Sequence, residues 1–253
     1  MTLYTSTLSQ APVLSPLDDS LLDVFKKCLV TGFGSFSGLG WFILYEAPEK
    51  IVFKNSSGDF LVLDALATEY TLVGAFEIDD VLDFSFPNKH TYKFFPSIYT
   101  HENGLHLDKS LIDSSTWSFI GNQNYFYFIH KDLVVFFGRH SGAPSAGTCL
   151  VVTTEFGLFQ SDSTDHILSN VWDGFHSPVT LGKEEHYLTD TGYQFSNLYL
   201  INSVYNKTLG VLPDCFVLVN GFDFEESEIR TSLGKALVIR KLNSRYLFFN
   251  HNG

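Results

Sequence analysis

Apolar residues recur at helical spacing in one early stretch, where Leu17, Leu21, Leu22, Phe25, Cys28 and Leu29 fall on one stripe of a helix. Ser15-Pro16 is a start signal. Asp18 and Asp19 then occupy the first turn and Lys26 and Lys27 the last, the charge order a helix dipole favours. Gly32 stops the pattern, and Gly32-Phe33-Gly34-Ser35-Phe36-Ser37-Gly38-Leu39-Gly40 predicts a flexible, aromatic-studded loop. From Trp41 the text becomes strand, turn, strand. Residues 41–46, 50–55 and 59–64 are short β-rich runs with turn residues between them, as a meander is written, and 69–78 alternates until Asp79, Asp80 and Asp83 interrupt it. Residues 116–121, 124–130 and 132–138 predict three more strands joined by hairpin-length breaks. A strand at 149–154 precedes a Ser-, Asp- and Thr-rich stretch, 157–170, that reads as an exposed excursion or linker. A second series follows at 197–202, 215–220, 236–241 and 245–250.

The hairpin in the middle has no polar face. Tyr125, Phe126, Tyr127 and Phe128 stand against Val134, Val135, Phe136 and Phe137, so both sides require cover, from the rest of the domain or from a neighbouring subunit. The expected fold class is therefore mainly β: one N-terminal helix followed by antiparallel β-sandwich or meander-type sheets, with room for two packed β subdomains. The division is an arm at 1–15, a helix plus aromatic-rich β domain at 16–160, and a second β subdomain with basic C-terminal strands at 161–253. In the arm, Leu3, Leu8 and Val13 fit either a strand that adds to a neighbour's sheet or a frayed end.

Composition agrees with this pattern. Over 253 residues, 25 Phe, 12 Tyr and 3 Trp against a single Met favour β-sheet packing over helical bundles, and 45% hydrophobic residues suffice for a core. A formal charge of −12 repels nucleic-acid phosphates and anionic lipid, so neither is an expected partner. That charge is uneven. Residues 230–253 hold five basic residues, Arg230, Lys235, Arg240, Lys241 and Arg245, and no acid, while the first 229 carry 11 basic and 28 acidic residues. The C-terminal strands can thus dock within the chain or head to tail between copies, and salt should weaken that contact. Cys28, Cys149 and Cys215 are too few and too far apart for a disulfide framework and read as buried thiols. Met1-Thr2-Leu3-Tyr4-Thr5 has no basic segment leading into an apolar one, and no run approaches the roughly 18 apolar residues of a membrane helix, so neither signal peptide nor span is expected.

No constellation nominates a reaction. The Gly32–Gly40 glycines follow a helix and precede a strand, the reverse of a phosphate-binding turn. His101-Glu102-Asn103-Gly104-Leu105-His106 spaces its histidines five apart across a turn dipeptide, where a zincin helix needs four. Asp162, Asp165, His166, Asp173 and His176 form a loose acidic-histidine cluster without calcium-loop spacing, and Asp79, Asp80 and Asp83 are no more specific. There is no Gly-x-Ser-x-Gly elbow. No catalytic residue, cofactor or metal is accordingly expected. Trp41, Trp117 and Trp172 would be sugar-stacking platforms if exposed. The sequons Asn55-Ser56-Ser57 and Asn206-Lys207-Thr208 carry no weight without a secretory signal.

A family resemblance enters with longer motifs. Leu21-Leu22-Asp23, Cys28-Leu29-Val30-Thr31-Gly32-Phe33-Gly34-Ser35, Gly40-Trp41 and Lys50-Ile51-Val52-Phe53-Lys54 resemble the opening of a family of uncharacterised virion structural proteins of tailed bacteriophages. Trp117-Ser118-Phe119-Ile120-Gly121, Tyr125-Phe126-Tyr127-Phe128 and Phe136-Phe137-Gly138 resemble its middle block. Gly174-Phe175-His176-Ser177-Pro178 and Leu209-Gly210-Val211-Leu212-Pro213 resemble two later turns, while Phe33 and Arg139 depart from the family pattern. The resemblance implies a non-enzymatic particle component of the tail, baseplate or head-to-tail region, located in the virion and made in the host cytoplasm. Its implied partners are other virion structural proteins and further copies of itself in a symmetric homo-oligomer. The residues expected at its interfaces are Trp41, Tyr125, Tyr127, Phe136, Phe137, Arg240, Lys241 and Arg245. A capsid decoration protein and a module binding a host surface glycan or receptor are the alternative roles.

Overall fold

The computed structural model describes residues 1–75, 105–131, 133–139, 148–154, 157–162, 186–188, 194–202, 207–218, 228–231, 234–241 and 245–251. Among these the protein is mainly β, with one short N-terminal helix and three antiparallel sheets. In chain order the elements are β1 (Thr2–Thr5), α1 (Ser20–Lys26), β2 (Phe42–Ala47), β3 (Lys50–Lys54), β4 (Phe60–Ala65), β5 (Glu69–Ala75), β6 (Leu105–Asp108), β7 (Trp117–Gly121), β8 (Phe126–His130) and β9 (Leu133–Arg139). Then come β10 (Thr148–Thr154), β11 (Gly157–Asp162), β12 (His186–Leu188), β13 (Gln194–Asn202), β14 (Lys207–Leu218), β15 (Glu228–Thr231), β16 (Gly234–Lys241) and β17 (Arg245–His251). One sheet is the meander β2-β3-β4-β5-β6. The aromatic sheet has the order β1-β7-β8-β9-β10-β11, and the C-terminal sheet the order β12-β13-β14-β17-β16-β15.

The helix starts later than its apolar spacing predicts. Ser15 donates its backbone N–H to Ser20 Oγ at 2.7 Å, Ser20 Oγ donates back to the Ser15 carbonyl, and Asp18 Oδ1 accepts the Ser20 N–H. These side-chain bonds satisfy the backbone in a turn instead of a helical one. Leu17 falls in that turn and is 94% exposed, not on the buried stripe. Leu21, Leu22, Phe25, Cys28 and Leu29 are buried as the spacing requires, Val24 is buried beside them outside that stripe, and α1 runs on into a π-helical turn, Lys27–Thr31. The loop after it is tied down where a flexible one was expected. Leu39 and Trp41 donate their N–H groups to the Cys28 and Leu29 carbonyls, which the helix end would otherwise leave open. Gly32 makes this return with φ of 75°, and a Cβ there would lie 2.1 Å from the Phe36 carbonyl.

The N-terminal arm belongs to its own chain. β1 pairs antiparallel with β7, from Thr2 opposite Gly121 to Thr5 opposite Ser118, so the arm adds a strand to its own chain's sheet. The reason is Tyr4, fully buried between the rings of Phe33 and Phe36, with its hydroxyl donating to the Ser37 carbonyl. Residues 157–162, expected in an exposed excursion, instead form β11 and pair with β10 along its length. Leu158 and Phe159 supply strand-forming residues ahead of Ser161 and Asp162, whose side chains do not interrupt the backbone ladder, so composition misled there. The remainder of that excursion, residues 163–170, lies outside the described residues, as do the Asp79, Asp80 and Asp83 positions.

Candidate functional site

The aromatic residues converge on β8 and β9, and successive side chains take opposite faces. Phe126 pairs with Phe137, Tyr127 with Phe136 and Phe128 with Val135. On one face Phe25 of α1 sits with its ring 5.3 Å from those of Phe119 and Phe126 and 5.4 Å from that of Phe128, mostly edge-on, the arrangement ring quadrupoles prefer. Trp41 joins this face against Phe126 and Phe137, and its indole N–H donates to the Asn122 carbonyl at 2.9 Å.

The other face meets the C-terminal sheet. Tyr127 packs at a tilt against Phe136, ring centroids 4.8 Å apart, and meets Phe249 of β17 edge-on at 4.9 Å. In β14, Asn197 pairs with Phe216 but Tyr199 with Val211, so residues 212–215 bulge from the β13 ladder, and Asp214 takes a positive φ of 53°. That bulge turns polar groups toward β8. The Tyr127 hydroxyl donates to the Pro213 carbonyl at 2.6 Å, and the Tyr125 hydroxyl donates to Asp214 Oδ2. Burial, and then the Asp214 carboxylate, push the Tyr125 hydroxyl far above its ordinary pKa, so it stays a neutral donor. At Gly138, with φ of 153°, a Cβ would lie 2.2 Å from Tyr125 Cβ. The glycine lets β9 pass close beneath this tyrosine.

Four expected interface residues are therefore corrected. Trp41, Tyr127, Phe136 and Phe137 are buried within the chain itself, because α1 with its loop covers one face and the C-terminal sheet the other. Tyr125 is half-buried at the seam. Arg240, Lys241 and Arg245 lie at the paired ends of β16 and β17, with Arg240 opposite Tyr246 and Lys241 opposite Arg245. Sugar stacking loses two platforms on the same ground: Trp41 and Trp117 are each 2% exposed, and Trp172 lies outside the described residues. Cys28 and Cys215 are buried free thiols whose pKa burial raises, whereas the Cys149 side chain lies outside the described set.

Sequence reasoning passed over three polar groupings. Asn55 and Asp59, both buried, cap the β3–β4 turn: Asn55 Nδ2 donates to Asp59 Oδ2 and to the Asn124 carbonyl, binding the meander to the β7–β8 turn. Asn55 is thus enclosed, which removes the first sequon from any modifying enzyme's reach. His130 is buried at the end of β8, its Nε2 3.1 Å from Ser115 Oγ, 3.2 Å from the Asp113 carbonyl and 3.4 Å from Asp113 Oδ1. A serine relay needs hydroxyl and carboxylate on opposite ring nitrogens. Both address Nε2 here, so the trio cannot pass a serine proton through the ring. Burial lowers the His130 pKa, with Asp113 opposing it, while hydrogen bonds from Lys131 and Ser115 hold the Asp113 carboxyl below the usual range.

The third grouping surrounds the start of α1. Asp19, Asp23, Lys26 and Glu46 rim a shallow depression of about 490 Å³ that Leu22, Ala47, Pro48 and Ile51 also line. Lys109 bonds Asp19 at 2.7 Å and lies over the Tyr70 ring, whose hydroxyl donates to the Asp18 carbonyl; burial pushes Tyr70 up to about 12. The adjoining edge strand β2 exposes Phe42 and Leu44. A bulge at Leu44 and the charge of Glu46 blunt that edge against strand addition. Among the described residues no three His, Cys, Asp or Glu side chains gather to hold a metal, and no helix is long and apolar enough to cross a membrane. His101 to Gly104, and the acidic-histidine cluster beyond Asp162, lie outside the described residues; Leu105 and His106 stand in β6. No family model matches the chain, and no curated protein matches it.

Proposed function

We propose that the chain is a non-enzymatic structural component of a tailed-bacteriophage virion, of the tail, baseplate or head-to-tail region, acting by assembly with other virion proteins and with further copies of itself. The observation that carries this reading is where the family-like motifs fall. Leu21, Leu22, Cys28, Leu29, Trp41, Phe119, Tyr127 and Phe136, all drawn from those motifs, are core residues of one aromatic body. The resemblance therefore concerns the part of the sequence that builds the body, which supports a shared scaffold more than a shared reaction. A body closed on both faces leaves assembly to its outer surfaces and chain ends, as a particle component requires.

Quantitative mass spectrometry of particles purified from the encoding phage tests the reading. A copy number that is a small multiple of a three-, five-, six- or twelve-fold symmetry is expected. Hundreds of copies would favour capsid decoration instead, and absence from the particle would overturn both.

A further inference from the structure

The surface at the start of α1 combines acids with uncovered apolar side chains. Its lysines are engaged: Lys26 pairs with Glu46, Lys27 with Asp23 and Lys109 with Asp19. Asp18 and Glu49 are exposed beside them and join no ion pair among the described residues, so the surface keeps a negative excess. Leu17 and Leu66 stand exposed at the same end of the meander. That placement follows from three contacts: Tyr70 pairs with Ala65, the Tyr70 hydroxyl reaches the Asp18 carbonyl, and Ala65 donates its N–H to the Glu49 carbonyl.

The complementary charge lies in the C-terminal hairpin. The register of β16 with β17 gathers Arg240, Lys241 and Arg245 at one end, within a segment that has no acid. The helix packs on the Phe126 and Phe128 face of the aromatic sheet and the C-terminal sheet on the Tyr127 and Phe136 face, so that sheet stands between them. We propose that the hairpin end bearing Arg240, Lys241 and Arg245 docks on the acidic, leucine-flanked depression of a second copy, head to tail. Such a contact is heterologous and propagates into a ring or a filament. It rests on the self-assembly part of the proposed function and not on membership of a particle.

Sedimentation velocity of the purified full chain at about 20 mM and about 500 mM salt, where the Debye length falls from roughly 20 Å to about 4 Å, reads the contact directly. Association is expected at low salt and monomer at high salt. The pair Asp18→Lys and Glu49→Lys, both on exposed residues, should weaken association about tenfold or more, as should Arg240→Glu with Lys241→Glu. An equimolar mixture of the two doubly reversed chains should associate again, since one supplies an intact hairpin and the other an intact depression. A wild-type chain that stays monomeric at low salt, association indifferent to salt, or undiminished association of either reversed chain overturns the proposal. If the hairpin variant loses its circular-dichroism signal, the Asp18 and Glu49 variant alone decides. The particle measurement above is independent of all these outcomes, so the two readings fail separately.

Discussion

Phe25 and Asp23 sit two residues apart on α1 and meet opposite surroundings. Phe25 packs among three rings on β7 and β8 and is fully buried, whereas Asp23 faces the open depression beside Glu46. One side of a short helix closes the protein's own core and the other remains available to solvent. Seven residues make only two turns, too few to be stable alone, so the buried side holds the helix and thereby positions the open one. The difference separates two uses of apolar residues that composition alone merges: rings that fold the chain, and isolated Leu and Phe side chains left outside.

Substitutions should divide along that line. Phe25→Ala removes the ring that joins α1 to three strand aromatics and should cost about 3–5 kcal/mol in urea unfolding; a loss under about 1 kcal/mol would mean the cluster can close without it. Gly138→Ala forces a methyl group against Tyr125 at a positive φ and should cost about 1–3 kcal/mol, with the loss reduced when Tyr125→Ala is added. Tyr125→Phe leaves the Asp214 carboxylate without its donor at the seam and should cost about 1–3 kcal/mol, again by urea unfolding.

A pH effect comes next. His130 and His251 are buried, and burial sets both pKa values below that of a free imidazole, against Asp113 and Glu228 respectively. The unfolded chain therefore binds more protons as pH falls below about 6.5, so their contribution is complete above that pH and is lost toward the lower folded values. Melting temperature should fall between pH 7 and pH 5 and fall less in His130→Gln; a melting temperature unchanged over that range would contradict the burial of both rings. Least affected should be Leu44→Ser, on the exposed side of β2, within about 0.5 kcal/mol of wild type.

Much of this architecture could be read from the residues, and the misses have physical causes. The strands of the middle block were legible because dense β-branched and aromatic runs ended in short turn signals. Their cover was not, since an all-apolar hairpin says that both faces are buried and nothing about which segment buries them. Leu17 sat at correct helical spacing but was lost to the Ser15, Asp18 and Ser20 bonds, local geometry that spacing does not encode. β1 is only four residues long, and β6 begins beside a turn dipeptide that dominated the reading. Asp214 carried no signal at all: its role arises from a bulge that brings β14 to Tyr125, 89 residues away in sequence. The acids of the depression were visible as a favourable first turn of a helix, but their meeting with Glu46 depends on how β2 lies beside α1.

The aromatic strands are buried by their own chain, which leaves other surfaces for the proposed assembly. Hydrogen–deuterium exchange on the dilute chain at high salt, where the proposed contact between copies is screened, tests this burial most directly. The amides of β8 and β9 should be among the slowest to exchange in the monomer, and should stay so at low salt, where the proposed contact between copies forms. Rapid exchange of β8 and β9 in the monomer, slowing only on association, would contradict that burial and return those strands to the interface.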